Sequence, residues 1–141
     1  MIRKYNSIDL DSVLEIWLEA SVKAHDFVSA DFWESQAENM RNIYIPASEV
    51  LVYEIESRIV GFYALYENNL AAIFVLPAFQ GKGIGKQLLN HAKAQRAVLS
   101  LSVYKENQAS YQFYVSQGFT VVGEQLDEHT GHPECTMSLG T

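Results

Sequence analysis

The chain has 141 residues, a length typical of one domain that buries its own hydrophobic core. Hydrophobic residues make up 48% and charged residues 19% of it, which excludes disordered, collagen-like and low-complexity classes. Its single cysteine, Cys135, cannot form an intramolecular disulfide, and its first residues lack the apolar stretch of a secretory signal, so we expect a cytoplasmic protein. Residues 70–79, the longest apolar run, are half of the roughly 20 needed to span a bilayer, and we expect no membrane segment.

The charges are distributed unevenly along the chain. Ten basic and seventeen acidic residues give a net charge of −7, which opposes nucleic-acid binding. Residues 1–58 hold eleven acidic and five basic residues, whereas the segment between Glu67 and Glu106 holds five basic residues and no acidic one. This basic segment is either a solvated helix face or, because it also contains the glycine cluster, a site for an anionic ligand.

Hydrophobic periodicity predicts two helices in the first third of the chain. The apolar spacing that begins at Leu10 predicts a helix over residues 10–22, with Asp9 as its cap. A second helix is predicted to begin after Ser29 and to be stopped by Pro46.

The rest of the chain is predicted to alternate between strands and helices. Residues 70–76 form a continuous apolar run, typical of a strand that is buried on both faces and central in its sheet. With the helix and strand that follow, they predict a parallel crossover unit. The other predicted elements are a hairpin of residues 50–55 and 59–66, a helix from residue 84, a strand over 98–104, a helix over 107–117 ended by Gly118, and strands over 119–124 and 134–139. The order indicates one mixed α/β domain.

A glycine-rich segment, QGKGIG at residues 80–85, lies between the predicted central strand and a helix. Glycines let successive backbone amides face a ligand, and the helix N-terminus adds free N–H groups and a partial positive charge. This combination predicts a phosphate or pyrophosphate site. The spacing G-x-G-x-G is neither the dinucleotide motif G-x-G-x-x-G nor a P-loop.

Two segments resemble those of a known family. Residues 75–89, VLPAFQGKGIGKQLL, resemble the acetyl-CoA motif of the GCN5-related N-acetyltransferases (GNAT superfamily), with the core Q/R-x-x-G-x-G/A. Residues 107–119, NQASYQFYVSQGF, are similar to the superfamily's N-x-x-[AS]-x-x-F-Y-x-x-x-G-F segment. The resemblance implies an α/β GNAT-like fold over residues 1–141, with a mixed, mostly antiparallel sheet of about six to seven strands and about four helices. Residues 17–27 look more narrowly like small bacterial members that include lysine acetyltransferases.

The resemblance also implies an activity and a set of site residues. The implied activity is transfer of the acetyl group of acetyl-CoA to a primary amine, either of a protein lysine or of a small molecule. The amine attacks acetyl-CoA directly in a ternary complex, and no metal takes part. The resemblance implies that the enzyme is a monomer or a homodimer. Tyr114 matches the tyrosine that protonates the departing thiolate. The implied cofactor-binding residues are Phe74, Val75, Gln80, Gly81, Lys82, Gly83, Ile84, Gly85, Lys86 and Asn107.

The proton acceptor for the attacking ammonium is open at this point. Many family members have a glutamate on the strand of the first motif, but residues 70–75 contain no carboxylate. The alternative function, a non-catalytic acyl-CoA sensor, is favoured by this departure, whereas Tyr114 favours an enzyme. Tyr111 is the rival of Tyr114 as the acid. The candidate bases are Glu15, Glu19, Glu67 and His25.

Two further patterns bear on ligands. Glu15 and Glu19 lie one helical turn apart, so either they recognise a cationic acceptor or they form a solvated face. His129, His132 and Cys135 have metal-ligating side chains, but they fall in a predicted hairpin turn and strand, so we expect no metal site. Cys135 is not expected to be a nucleophile, because direct transfer needs no covalent enzyme intermediate.

Overall fold

Seven strands form one sheet in the part of the chain that the structure, a computed structural model, describes, residues 1–140. The strands are β1 (Ile2–Lys4), β2 (Glu49–Ile55), β3 (Arg58–Tyr66), β4 (Asn69–Val75), β5 (Leu99–Tyr104), β6 (Thr120–Leu126) and β7 (Pro133–Leu139). They lie in the order β1-β2-β3-β4-β5-β7-β6, and only β4 and β5 pair in parallel. The mixed, mostly antiparallel sheet is therefore confirmed.

Five α-helical segments accompany the sheet within residues 1–140. They are α1 (Leu10–Ala24), α2 (Ala30–Asn39), α3 (Ile45–Ala47), α4 (Ile84–Gln95) and α5 (Gln108–Ser116). A π-helical turn, Met40–Tyr44, joins α2 to the single turn α3, and Pro46 lies in that turn, so the helical backbone ends where the sequence predicts. Within residues 1–140, no helix combines the length and the apolar character needed to cross a bilayer.

The N-terminal strand β1 was not predicted, because three residues are too few to show a periodicity. Its Arg3 donates hydrogen bonds to Asp9 at 2.9 Å and to Glu54 at 3.0 Å. Asp9, predicted as the cap of α1, makes no side-chain bond to that helix and instead binds Arg3 and the Asn6 amide. The hydrogen bond from Arg3 holds the pKa of Asp9 below its ordinary value.

Strand β3 is the centre of the hydrophobic core. Its residues 59–65 are all buried, which requires cover on both faces of the strand because successive side chains alternate. Gly61 and Tyr63 face α4: a Cβ on Gly61 would lie 3.1 Å from the Leu88 side chain, and the Tyr63 hydroxyl hydrogen-bonds His91. His91 is therefore partly buried against β3.

Strand β4 lies in the middle of the sheet, as predicted, but the expectation that both of its faces are buried is wrong. Ala71 is exposed, and Ile73 and Phe74 are half-buried. The reason lies in the pairing with β5, which has one register position, Asn69 opposite Ser100. Beyond it the two strands diverge, and the apolar residues of β4 face an open cleft instead of a neighbouring strand.

We expect replacement of Leu88 by alanine to lower the free energy of unfolding by about 2–5 kcal/mol, because the side chain is fully buried between α4 and β3. Urea denaturation measures the change. Asn90→Ala, at an exposed position of the same helix, is the control and should change the stability by less than about 0.5 kcal/mol. Equal effects of the two substitutions would contradict this packing of α4.

Candidate active site

A cleft of about 1390 Å³ opens where β4 and β5 diverge. Small-molecule pockets are typically about 300–1,000 Å³, so this cleft has room for more than one substrate. Of the predicted site residues, those that line it are Phe74, Val75, Gln80, Gly81, Gly83, Ile84, Gly85, Lys86, Asn107 and Tyr114. The structure thus brings together two sequence motifs that are separated by 17 residues in the chain.

The glycine-rich loop forms one end of the cleft. Gly81 and Gly83 have φ angles of +78° and +81°, in the left-handed region that favours glycine, and a Cβ on either would meet only open space. Gly83 caps α4 without a side-chain hydrogen bond, so the first amides of that helix are free to meet an anion. The space and the free donors are those that a pyrophosphate needs.

Lysines add positive charge at this end of the cleft. Lys23 of α1 and Lys86 of α4 both line it, and Lys23 donates to the Gln80 side chain at 3.3 Å. Gln80 in turn donates to the Val75 carbonyl at 3.0 Å, which ties the loop to the end of β4. Lys82 does not line the cleft.

The helix α5 supplies the second motif. Asn107 is its N-cap, and the Asn107 Oδ1 atom accepts a hydrogen bond from the Ser110 amide at 3.2 Å. Tyr114 lines the cleft and is 9% exposed, and this burial raises the pKa of its phenol above the ordinary value. Tyr111 does not line the cleft and packs against the core. The geometry therefore favours Tyr114 over Tyr111 as a group that can reach a substrate.

His25 is the one of the four candidate bases that lines the cleft. Its Nε2 atom lies 3.3 Å from Asn107 Nδ2, which must be the donor because Oδ1 of Asn107 is bonded to the Ser110 amide. Nε2 therefore accepts, and the proton of the neutral ring is on Nδ1. Burial lowers the pKa of His25 to about 4, so the ring is neutral at physiological pH and offers a donor instead of a free basic nitrogen.

The predicted roles of the three glutamates do not fit the structure. Glu15 and Glu19 are exposed on α1 and lie outside the cleft lining, so they cannot contact an acceptor bound there. Glu67 lies in the exposed turn between β3 and β4, also outside the lining. The reading of Glu15 and Glu19 as a solvated helix face is the one that the geometry supports.

Other carboxylates, which the sequence analysis missed, line the part of the cleft around Tyr104. Asp127 accepts a hydrogen bond from the Tyr104 hydroxyl, Glu134 lies opposite Tyr104 in the β5–β7 register, and Glu106 follows two residues later in the chain. All three carboxylates line the cleft. No sequence signal identifies them, because the β5–β7 pairing brings them together. We name Glu106, Asp127 and Glu134 the acidic end.

The three residues of the possible metal pattern lie apart. Cys135 is buried on β7 opposite Val103, whereas His132 lies on the preceding turn and contacts Glu106 through Nδ1 at 2.7 Å. His129 lines the cleft. Residues 1–140 hold no group of three or more histidine, cysteine, aspartate or glutamate side chains arranged to bind a metal ion.

Comparisons with known proteins agree with this geometry. Residues 46–121 match the acetyltransferase (GNAT) domain family. The peptidyl-lysine N-acetyltransferase YiaC of Escherichia coli is 34% identical over 139 residues, 98% of this chain and 95% of YiaC. The chain belongs to the GNAT acetyltransferase family.

Two solved structures show how far the fold is shared. The solution structure of apo-form YjaB from Escherichia coli superposes with a TM-score of 0.87 at 26% identity, over 100% of this chain and 98% of that chain. The PaiA N-acetyltransferase of Thermoplasma acidophilum, solved in complex with coenzyme A, has a TM-score of 0.82 at 22% identity, over 100% and 98%. The chain is an acetyl-CoA-dependent N-acetyltransferase, and acetyl-CoA is its co-substrate.

We expect Gly83→Asp to abolish acetyl-CoA binding, because it adds a negative charge where the loop amides are predicted to meet the pyrophosphate. Isothermal calorimetry measures the affinity. Gly131→Asp is the matched control: Gly131 also has a left-handed φ, +74°, and open space at its Cβ, but it does not line the cleft. Both variants place an aspartate at a left-handed φ angle, so equal losses of acetyl-CoA affinity would contradict a role of the glycine loop in cofactor binding.

Proposed function

We propose that this GNAT protein acetylates the side-chain amine of a lysine residue in a peptide or protein, by direct attack of the amine on acetyl-CoA in a ternary complex. The observation that supports this proposal most strongly is the separation of charge along one cleft. Lys23 and Lys86 line the cleft beside the glycine loop, whereas the three carboxylates line it around Tyr104, the last residue of β5. This pattern suits an anionic cofactor at one end and an alkylammonium at the other.

The cofactor lies, in this proposal, with its pyrophosphate on the glycine loop and its pantetheine arm along β4. Because β4 and β5 share one register position, the β4 main chain next to the gap has donors and acceptors that an extended amide-containing arm can pair with. Phe74 and Val75, at the end of β4, then lie beside the thioester. A backbone amide there that binds the developing oxyanion contributes typically about 3 kcal/mol to lowering the barrier.

The reaction forms the N–C and S–H bonds and breaks the C–S bond and two N–H bonds. The bound ammonium first loses a proton to solvent, and the neutral amine then attacks the thioester carbonyl carbon. The tetrahedral intermediate loses the second nitrogen proton to solvent and collapses with loss of the C–S bond, and the thiolate takes a proton from the enzyme. Tyr114 is the proposed proton donor, because its hydroxyl-bearing side chain lines the cleft from the helix that Asn107 caps. A buried phenol with a raised pKa keeps its proton until a strongly basic group such as a thiolate forms beside it.

The acceptor binds, in this proposal, with its ammonium at the acidic end. Asp127 is the best-placed carboxylate, because it accepts hydrogen bonds from the Tyr104 hydroxyl, from the Thr130 hydroxyl and from the His129 backbone amide. These interactions outweigh desolvation and lower the pKa of Asp127, so it is ionised at neutral pH. The peptidyl-lysine activities of YiaC and of YjaB, which is 27% identical, support a lysine as the acceptor. The cytoplasmic location and the monomeric or homodimeric state stay predictions from the sequence.

We expect Tyr114→Phe to lower kcat by about 10- to 1000-fold and to leave the affinity for acetyl-CoA nearly unchanged, because the substitution removes the proton donor and keeps the ring. Steady-state kinetics with a lysine peptide measure kcat. Tyr111→Phe, on the same helix but outside the cleft lining, is the control and should keep wild-type kcat. Wild-type turnover by Tyr114→Phe would assign this side chain to packing.

We expect Asp127→Asn to raise the KM for the lysine peptide by about 5-fold, the equivalent of about 1 kcal/mol for a lost charge pair at a partly exposed site. The same variant should show a weaker dependence of KM on ionic strength and an unchanged KM for acetyl-CoA. The double variant Glu15→Gln/Glu19→Gln removes two charges outside the cleft and is the control. An unchanged peptide KM in Asp127→Asn would contradict the role of the acidic end.

A further inference from the structure

Three buried polar atoms in the cleft wall have no hydrogen-bond partner. They are Ser21 Oγ, His25 Nδ1 and Trp33 Nε1, and they are all the unpartnered buried side-chain nitrogen and oxygen atoms found within residues 1–140. All three side chains are at least nine-tenths buried, and all three line the cleft. Each of the three atoms has less than 1 Å² of accessible surface, so a ligand reaches them only when side chains of this wall move as it binds. Buried polar groups in native proteins are almost always paired, so three unpartnered atoms in one wall point to a ligand that supplies the partner in that bound state.

The three side chains are neighbours. His25 lies one helical turn after Ser21, and its backbone amide donates to the Ser21 carbonyl at 2.9 Å. The His25 ring lies 5.1 Å from the Trp33 ring, centroid to centroid, with an interplanar angle of 32°. We name Ser21, His25 and Trp33 the donor wall.

The chemistry of these atoms decides what they can bind. An indole Nε1 can only donate, and His25 Nδ1 carries the ring proton because Nε2 accepts from Asn107. The Ser21 hydroxyl can donate as well. Two obligatory donors and a hydroxyl require an acceptor oxygen from the ligand, and an ammonium group is excluded because it has donors alone.

The position of the donor wall favours a ligand with a neutral acceptor oxygen over a ligand with a carboxylate. His25 contacts Asn107 on one side and the Tyr104 ring, at 5.1 Å, on the other, so the wall lies next to the acidic end. A carboxylate there would be repelled by Glu106, Asp127 and Glu134, whereas an amide carbonyl carries no charge. An amine substrate that presents both an ammonium and an amide carbonyl is one held in a peptide.

We propose that the donor wall binds an amide carbonyl oxygen of the acceptor, and that it thereby selects peptide-borne amines over simple alkylamines. The proposal rests on the proposed acetyl transfer and adds the residues that read the acceptor's main chain. A polyamine or an alkylamine presents the ammonium without the carbonyl. It leaves the donor wall unpaired, as in the free protein, and so gains none of the hydrogen bonds that the amide gains.

The kinetic test compares two acceptors that differ in the carbonyl group. One is Nα-acetyl-lysine methylamide, and the other is n-pentylamine, which has a lysine-like alkyl stem without an amide. We expect Trp33→Phe and Ser21→Ala each to lower kcat/KM for the amide by about 10-fold, and to change that for n-pentylamine by less than about 2-fold. Ser35→Ala, on α2 outside the cleft lining, is the matched control. Equal losses for both acceptors overturn the proposal.

A binding measurement tests the same site without turnover. The chain has two tryptophans, so a ¹⁵N-labelled sample gives two indole N–H signals, and Trp33→Phe identifies that of Trp33. With coenzyme A bound, Nα-acetyl-lysine methylamide should shift the Trp33 signal, whereas n-pentylamine should leave it in place. A shift caused by acetyl-CoA alone would assign the wall to the cofactor and overturn the proposal, as would equal shifts with both amines.

Two peptides distinguish a lysine side chain from a peptide N-terminus as the acceptor amine. One has an internal lysine and an acetylated N-terminus, and the other has a free N-terminus and no lysine. Acetylation of the second peptide alone, with the Trp33 signal still shifted, would refute the proposed lysine acceptor and keep the donor wall. Acetylation of the first peptide with no effect of Trp33→Phe or Ser21→Ala would refute the donor wall and keep the proposed function. Thermal unfolding of each variant confirms that it is folded.

Discussion

The structure of this acetyltransferase depends on one break in the sheet, the divergence of β4 and β5 after a single parallel pairing. A complete pairing would cover the edge of β4 and close the cleft, because each strand would satisfy the backbone groups of the other. The break leaves backbone donors and acceptors next to a gap and half-exposed apolar side chains along it. The sheet tolerates this opening because β4 remains paired with β3 over six positions, and β3 is buried between helices.

The helices around the break each bring a different chemical group to the cleft. The N-terminus of α4 brings free amides, and α5 brings Tyr114. Helix α1 brings Lys23 to the glycine loop, and its C-cap His25 lies beside Tyr104. The contact between His25 and Asn107 joins α1 to α5 at 3.3 Å. This hydrogen bond fixes the tautomer of His25 and turns a candidate base into a donor. The same contact therefore organises the proposed cofactor side and the proposed acceptor side of the site.

The acceptor side of the cleft is built from residues that lie far apart in the sequence. The α1–α2 segment packs against the β6–β7 turn through Phe27 and His132, whose rings lie 5.0 Å apart, and Tyr104 lies between this contact and Asp127. Aromatic rings thus form the walls, carboxylates form the acidic end, and the donor wall holds the unpaired N–H groups. Such a site suits a ligand with an apolar stem, a cationic head and a polar main chain.

The sequence by itself determined the elements and the cofactor motifs, because periodicity, glycine spacing and helix-ending residues act over short distances. The strand order, the exposed face of β4 and β1 were decided by pairings between segments far apart in the chain. The same holds for the acceptor side. Glu15 and Glu19 have a suggestive spacing but face away from the cleft, whereas Asp127 and Glu134 gain their position only when β7 pairs with β5. A local pattern fixes which face of a helix a side chain occupies, and tertiary packing decides whether that face meets a cleft or water.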